Sequence, residues 1–356
     1  MPKKLRFATI GTSAITERFL DALSKMANAC YAGCYSRSID SSRKFAKTHG
    51  AKLVFDNLDS LAASNEIDAV YIASPNALHA PQAKQMISSG KHVLVEKTLA
   101  SNAYEAAAVL SCAQANDVVA MEAMRNLYDP GFSVVEHTIA DLGDVYSATF
   151  RFSKISSRIS RLQLGQRVNV FDPRLSEGAL MDIGVYTVEP AIALFGVPDR
   201  VLVAAVTSNV PGEPADSPSQ VIDLSGEILF DYGNKVINLS YGKIYDNIVA
   251  SEISGSKGAL SIDALPNFSG LHFIRHENKG MIYDTEDGAR QDLEVNTPDN
   301  DMVCELECFI DAVCGKTEAC KLVSRFHQTT LDALAVMDEA RGQLGIRFPA
   351  DEPFKI

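Results

Sequence analysis

Leu5-Arg-Phe-Ala-Thr-Ile-Gly-Thr-Ser-Ala-Ile-Thr16 reads as a buried strand that stops on Gly11 and runs straight into a helix pattern. A strand feeding a helix through a glycine turn presents backbone N–H groups to a phosphate at the edge of a doubly wound sheet. Outward from it, apolar strand patterns follow at residues 29–35, 53–55, 69–74, 92–96 and 118–121. Helix patterns over 15–25, 41–48, 79–88 and 103–115 separate them, with one more before residue 69. This alternation predicts right-handed crossovers and a parallel sheet, so residues 1–123 are expected to form an α/β dinucleotide-binding domain.

Residues 124–356 follow a different pattern. Residues 145–153 alternate, a polar arginine-rich segment runs to Ser176, and 178–195 is a helix pattern. Strand candidates at 201–210, 221–230, 235–241, 249–255, 259–262 and 271–275 come next, then helices near 302–313 and 321–341. Clustered strands with helices at the margins predict an α+β domain on an open-faced, mostly antiparallel sheet.

Lys+Arg of 33 against Asp+Glu of 45 gives a formal net charge of −12. That balance argues against nucleic acid or an anionic membrane as the main partner. Apolar runs fall short of a membrane span and no signal-like segment precedes the first strand, so a cytoplasmic protein is expected. The seven cysteines show no Cys-x-x-Cys pair, and no His-Glu-x-x-His occurs, so no metal is expected.

Gly11-Thr12-Ser13-Ala14-Ile15-Thr16 keeps only the first glycine of Gly-x-Gly-x-x-Gly. Small residues still let backbone approach a pyrophosphate, and the hydroxyls of Ser13 and Thr16 add donors. The second strand ends in Cys34-Tyr-Ser36-Arg37 with no carboxylate for a ribose 2′-hydroxyl. Ser36 and Arg37, with Arg43 beyond, suit a 2′-phosphate, which favours NADP and leaves NAD open. In Ser74-Pro75-Asn76-Ala-Leu-His79 the proline stops a strand and Asn76 can cap the next helix. Asn76 and His79 can equally touch ribose or nicotinamide.

Ile10–Thr16, Ser74–His79, Glu96-Lys97-Thr98 and Gly178-Ala-Leu-Met-Asp182-Ile-Gly-Val-Tyr186 together resemble the glucose–fructose oxidoreductase/inositol dehydrogenase/rhizopine catabolism (Gfo/Idh/MocA) family. With Met121-Glu-Ala-Met-Arg125 the likeness leans toward its dimeric dihydrodiol dehydrogenase branch. It implies a Rossmann domain, an open-faced second sheet and reversible oxidation of a sugar, cyclitol or diol alcohol. The family's Glu-Lys-Pro stands here as Glu96-Lys97-Thr98, and its Asp-x-x-x-His as Asp182-x-x-x-Tyr186. That places Lys97, Asp182 and Tyr186 as catalytic candidates, and Glu96 beside the cofactor.

Asp182 and Tyr186 fall on one helical face at i,i+4. A nearby Lys97 would favour a tyrosine phenolate, and Lys97 can itself donate to an alkoxide, so either residue can carry the proton. Arg125, Tyr128, Arg158, Arg161 and Asn169 are candidate substrate contacts, with Arg167 in the same arginine-rich segment. Glu122 and Arg125 can alternatively pair as a hinge. The open sheet predicts a homodimer or tetramer. A reductase of a non-sugar carbonyl or imine-like compound, and a non-catalytic NADP-binding sensor, are the competing readings.

Overall fold

The computed structural model describes residues 4–276 and 289–352. Its first unit runs β1 (Leu5–Ile10), α1 (Ala14–Ser24), β2 (Ala29–Tyr35), α2 (Ile39–His49), β3 (Leu53–Phe55), α3 (Leu58–Ala62), β4 (Ala69–Ile72), α4 (His79–Ser88), β5 (His92–Glu96), α5 (Ala103–Ala115) and β6 (Ala120–Ala123). The six strands are parallel in the order β3-β2-β1-β4-β5-β6. Strand order reverses between β1 and β4, which opens a crevice at their carboxyl ends, where the Gly11 turn and the Ser74 loop lie. β6 starts two residues later than its apolar run suggests. Val118 N–H still donates to Ala113 O at 3.2 Å, closing the end of α5.

The second unit continues with α6 (Arg125–Tyr128), α7 (Pro130–Thr138), β7 (Val145–Ser153), α8 (Ile159–Gln163), α9 (Val185–Phe195), β8 (Arg200–Asn209), β9 (Val221–Asp231), β10 (Val236–Gly242), β11 (Ser251–Gly255), β12 (Gly258–Ala264), β13 (Ser269–Arg275), β14 (Arg290–Leu293), α10 (Met302–Val313) and α11 (Thr317–Gln343). Eight strands form one sheet in the order β14-β13-β12-β11-β7-β10-β9-β8. All its pairs are antiparallel except β7 with β10. That parallel pair brings Ser153 opposite Gly242, so both strands deliver their chain ends to one place.

Ile228, Phe230, Ile237 and Leu239 bury the inner face, on which α9 packs. Leu202, Val206, Leu229 and Val236 stay exposed. Leu202 pairs directly with Leu229 across β8 and β9, which puts the exposed residues on the outer face. The last two helices return to the first unit. Phe309 of α10 sits 5.8 Å from Phe7 of β1 between ring centroids, and α11 lies along α5 and α9. Among the described residues no helix is long and apolar enough to cross a membrane.

Candidate active site

Gly11 takes φ +115°, and a Cβ there would stand 2.5 Å from Ala73 O. Only glycine lets β1 turn this tightly against the end of β4. Ser13 occupies the cap position of α1, and its side chain accepts from no backbone N–H of the helix. The first-turn N–H groups therefore keep their bonding capacity for an anion. Thr12, Ser13 and Ala14 are exposed, Ile15 is half-buried, and Thr16 is buried under them. Burial removes Thr16 from the expected phosphate donors.

Ser36 and Arg37 follow the end of β2, with Arg37 exposed, while Arg43 lies 3.5 Å from Asp40. A glycine cradle that a Cβ would fill, free helix N–H groups and a guanidinium beyond β2 fit a phosphorylated dinucleotide. Gly11 to Ile15, Ser36 and Arg37 would hold it.

The Ser74 loop closes the crevice. Asn76 does not cap the following helix: its buried Nδ2 donates to Ser176 O at 3.0 Å, tying the first unit to the second. His79 is also buried, its ring nitrogens each 2.7 Å from the carbonyls of Thr98 and Ser74. Burial lowers its pKa against these two carbonyls. It thus holds the loop after β4 against the one after β5.

Across the crevice, residues 180–184 form a π-helical turn that runs into α9, so Asp182 and Tyr186 are not on one regular α-helix. Asp223 of β9 pins this turn by accepting from Leu180 N–H at 2.6 Å. Gly178, φ +129°, makes room for that carboxylate: a Cβ would lie 2.3 Å from Asp223 Oδ1.

Lys97 Nζ, arriving from the end of β5, donates to Asp182 Oδ1 at 2.8 Å and to Asp182 O at 2.5 Å. Lys243, just beyond β10, donates to Asp182 Oδ2. Burial raises the Asp182 carboxyl, but the two ammoniums overcome it and hold it well below the usual carboxylate range. Burial likewise lowers Lys97, and the Asp182 carboxylate reverses that to a raised value.

Tyr186 lies between two cations, Lys97 at 5.4 Å and Arg125 at 5.3 Å from its ring centroid. Burial raises its hydroxyl pKa, and Arg125 and Lys97 only partly oppose it. The expected phenolate is therefore corrected: the group is a neutral phenol, a donor. Arg125 lies 3.4 Å from Asp301. Glu122 accepts from Leu99 N–H and the Thr330 hydroxyl, so the expected Glu122–Arg125 hinge pair does not form.

Lys97, Asp182, Tyr186 and Lys243 line a cleft of about 620 Å³, and Arg125 is not among its lining residues. Of the sequence candidates it contains Ser13, Ile15, Ser74, Pro75, His79, Glu96, Lys97, Arg158, Asn169, Asp182 and Tyr186. Tyr128 is elsewhere, packed edge-on against Phe326 with ring centroids 5.0 Å apart. Arg161 is exposed and donates to Gln166 at 3.1 Å, and Arg167 is engaged by Glu213. The structure adds Lys243, Glu177 and Lys154. Glu177 stands directly before the Gly178 motif, a signal the sequence held. Lys243 and Lys154 follow strand ends with no pattern of their own.

A family model described as an oxidoreductase family with an NAD-binding Rossmann fold matches residues 5–124. The scyllo-inositol 2-dehydrogenase (NADP(+)) IolU of Bacillus subtilis (strain 168) is 35% identical over 350 residues, covering 98% of this chain and 99% of its own. The chain belongs to the Gfo/Idh/MocA oxidoreductase family. An uncharacterized oxidoreductase of this kind, YgjR of Escherichia coli (strain K12), is 33% identical over 98% of both chains. KijD10, a 3-ketoreductase from Actinomadura kijaniata solved with NADP and TDP-benzene, shares the fold with a TM-score of 0.77 at 20% identity, covering 97% of this chain and 99% of its own. As a Gfo/Idh/MocA member this chain is an NAD(P)-dependent oxidoreductase acting on CH–OH groups.

Proposed function

We propose that this protein is an NADP(H)-preferring dehydrogenase of a ring secondary alcohol on a cyclitol or sugar. The observation that carries the reading is the Lys97–Asp182–Lys243 cluster facing the Gly11 turn across one cleft. Full-length likeness to an enzyme named for scyllo-inositol and NADP(+) supports it, as do Ser36-Arg37 in place of an acidic strand end. The Tyr186 form of the motif and Met121–Arg125 keep the dihydrodiol dehydrogenase branch within the proposal.

When bound, the nicotinamide accepts or supplies the hydride. The protein's share is the proton and the geometry. Lys97 donates to the substrate oxygen as alkoxide character develops and exchanges the hydroxyl proton, with the Tyr186 phenol as a second donor. Asp182, fully ionised and held from both sides, orients the two ammoniums and is no base. Asn169 and Arg158 offer polar contacts at the cleft wall. We further place the enzyme in the cytoplasm, in keeping with seven free cysteines. Assembly would use the outer face of the second sheet.

Nicotinamide absorbance tests the reading, with NADP+ and a panel of inositols, aldoses and diols in one arm and NADPH with diketones and imines in the other. Oxidation of at least one cyclitol or sugar is expected. Reduction of diketones or imines alone would replace it with the carbonyl-reductase reading.

A further inference from the structure

The cleft contains a carboxyl with no part in this scheme. Glu177 stands between two residues of positive φ, Ser176 at +56° and Gly178 at +129°, and these left-handed neighbours set the direction of its side chain. Asn76 fixes the same segment through Nδ2, which donates to Ser176 O at 3.0 Å. Asp182 from the π-turn, Lys97 from the end of β5 and Lys243 from the end of β10 line the cleft with Glu177. Lys154 and Arg158 line the same cleft from the segment after β7, with Glu96, His79 and Tyr186 completing its titratable wall.

Alcohol oxidation releases one proton, and the groups already assigned have no place to keep it. Lys97 is an ammonium stabilised by Asp182, Tyr186 is a protonated phenol, and Asp182 is clamped by two cations. Burial and the neighbouring Asp182 push the Glu177 carboxyl up to about 7, against the pull of Lys97 and Lys243.

We propose that Glu177 is the proton-relay residue of the cleft, taking up through Lys97 the proton released by alcohol oxidation and returning it during reduction. The assignment rests on the dehydrogenase reading above. In one concerted relay an ammonium proton of Lys97 leaves through the water of the cleft for a Glu177 oxygen as the substrate O–H bond breaks and a new N–H bond forms at Lys97. Lys97 is ion-paired with Asp182 and not with Glu177. The C–H electron pair leaves the carbinol carbon as hydride for bound NADP+. Lys97 ends as the ammonium it began as; Glu177 ends neutral and returns its proton to solvent. Oxidation needs ionised Glu177, so its rate falls as pH drops through about 7. Reduction needs the protonated form and falls as pH rises through the same value.

The test compares wild type, Glu177→Gln and Glu177→Asp oxidising scyllo-inositol, myo-inositol, D-glucose and D-xylose with NADP+ across pH, alongside NADPH fluorescence titration. The acid limb is expected to vanish in Glu177→Gln with kcat down by roughly 10²-fold, while KM and NADPH affinity stay within about threefold. Glu177→Asp should keep a limb at an intermediate rate. A wild-type limb in Glu177→Gln overturns the proposal, as does a loss confined to KM or NADPH binding. If wild type oxidises none of the four, the polyol reading fails separately. Infrared titration of the free protein then decides Glu177: a protonated-carboxyl band lost in Glu177→Gln supports proton exchange there, and its absence removes it.

Discussion

Two ammoniums share Asp182, and the proposed division of labour among the named residues starts from that arrangement. In the proposed scheme the carboxylate orients, Lys97 meets the substrate oxygen, and Tyr186, which stands between Lys97 and Arg125, donates. Tyr186→Phe keeps the ring in its cation–π site and removes only the donor. Its kcat should fall by roughly tenfold or more with NADPH binding unchanged, and full turnover would leave Lys97 as the sole donor. Arg37→Ala should weaken NADPH by roughly 1.5–3 kcal/mol and spare NADH in parallel fluorescence titrations. An equal loss for both would mark general damage instead. Lys97 stood out in the sequence at a strand end, whereas Asp182 and Tyr186 were picked out through the resemblance of the Gly178–Tyr186 motif to the family. Lys243 was not: it reaches Asp182 only because β10 runs parallel to β7, a long-range pairing that leaves no local trace.

The alternating strands and helices of the first unit carry their periods in the sequence, and those elements fall where the pattern puts them, with shifts at their ends. The π-turn is different. Its residues, Leu180–Gly184, read as ordinary helix, and it is held by Asp223 accepting from Leu180 N–H. The edge strand β14, Arg290–Leu293, has no apolar alternation to read and exists through pairing with β13. Asp129-Pro130 at the start of α7 was a readable signal that went unused, since Asp129 accepts from Gly131 N–H at 2.8 Å. At this scale the β1–α1 turn makes the sharpest demand. Gly11→Ala forces a Cβ against Ala73 O at a φ that L-residues rarely adopt. NADPH affinity should fall by about tenfold or more in fluorescence titration, and unchanged binding would remove the turn from the cofactor site.

In the whole molecule, α10 and α11 bind the second unit back onto the first, so the cleft lies between parts held by a shared core. The outer face of the second sheet leaves Leu202, Val206, Leu229 and Val236 exposed, a surface suited to a second copy. Light scattering at micromolar concentration should report a dimer or tetramer of the 38.5 kDa chain; a monomer alone would contradict this. In the proposed reaction Lys97 transfers the substrate proton in a cleft shared by cofactor and polyol. Nicotinamide absorbance of Lys97→Met, with its NADPH binding titrated in parallel, tests it most directly. A loss in kcat of roughly 10²–10⁴-fold is expected on whichever polyol the wild type oxidises, with NADPH still bound; wild-type turnover by Lys97→Met would remove Lys97 from proton transfer.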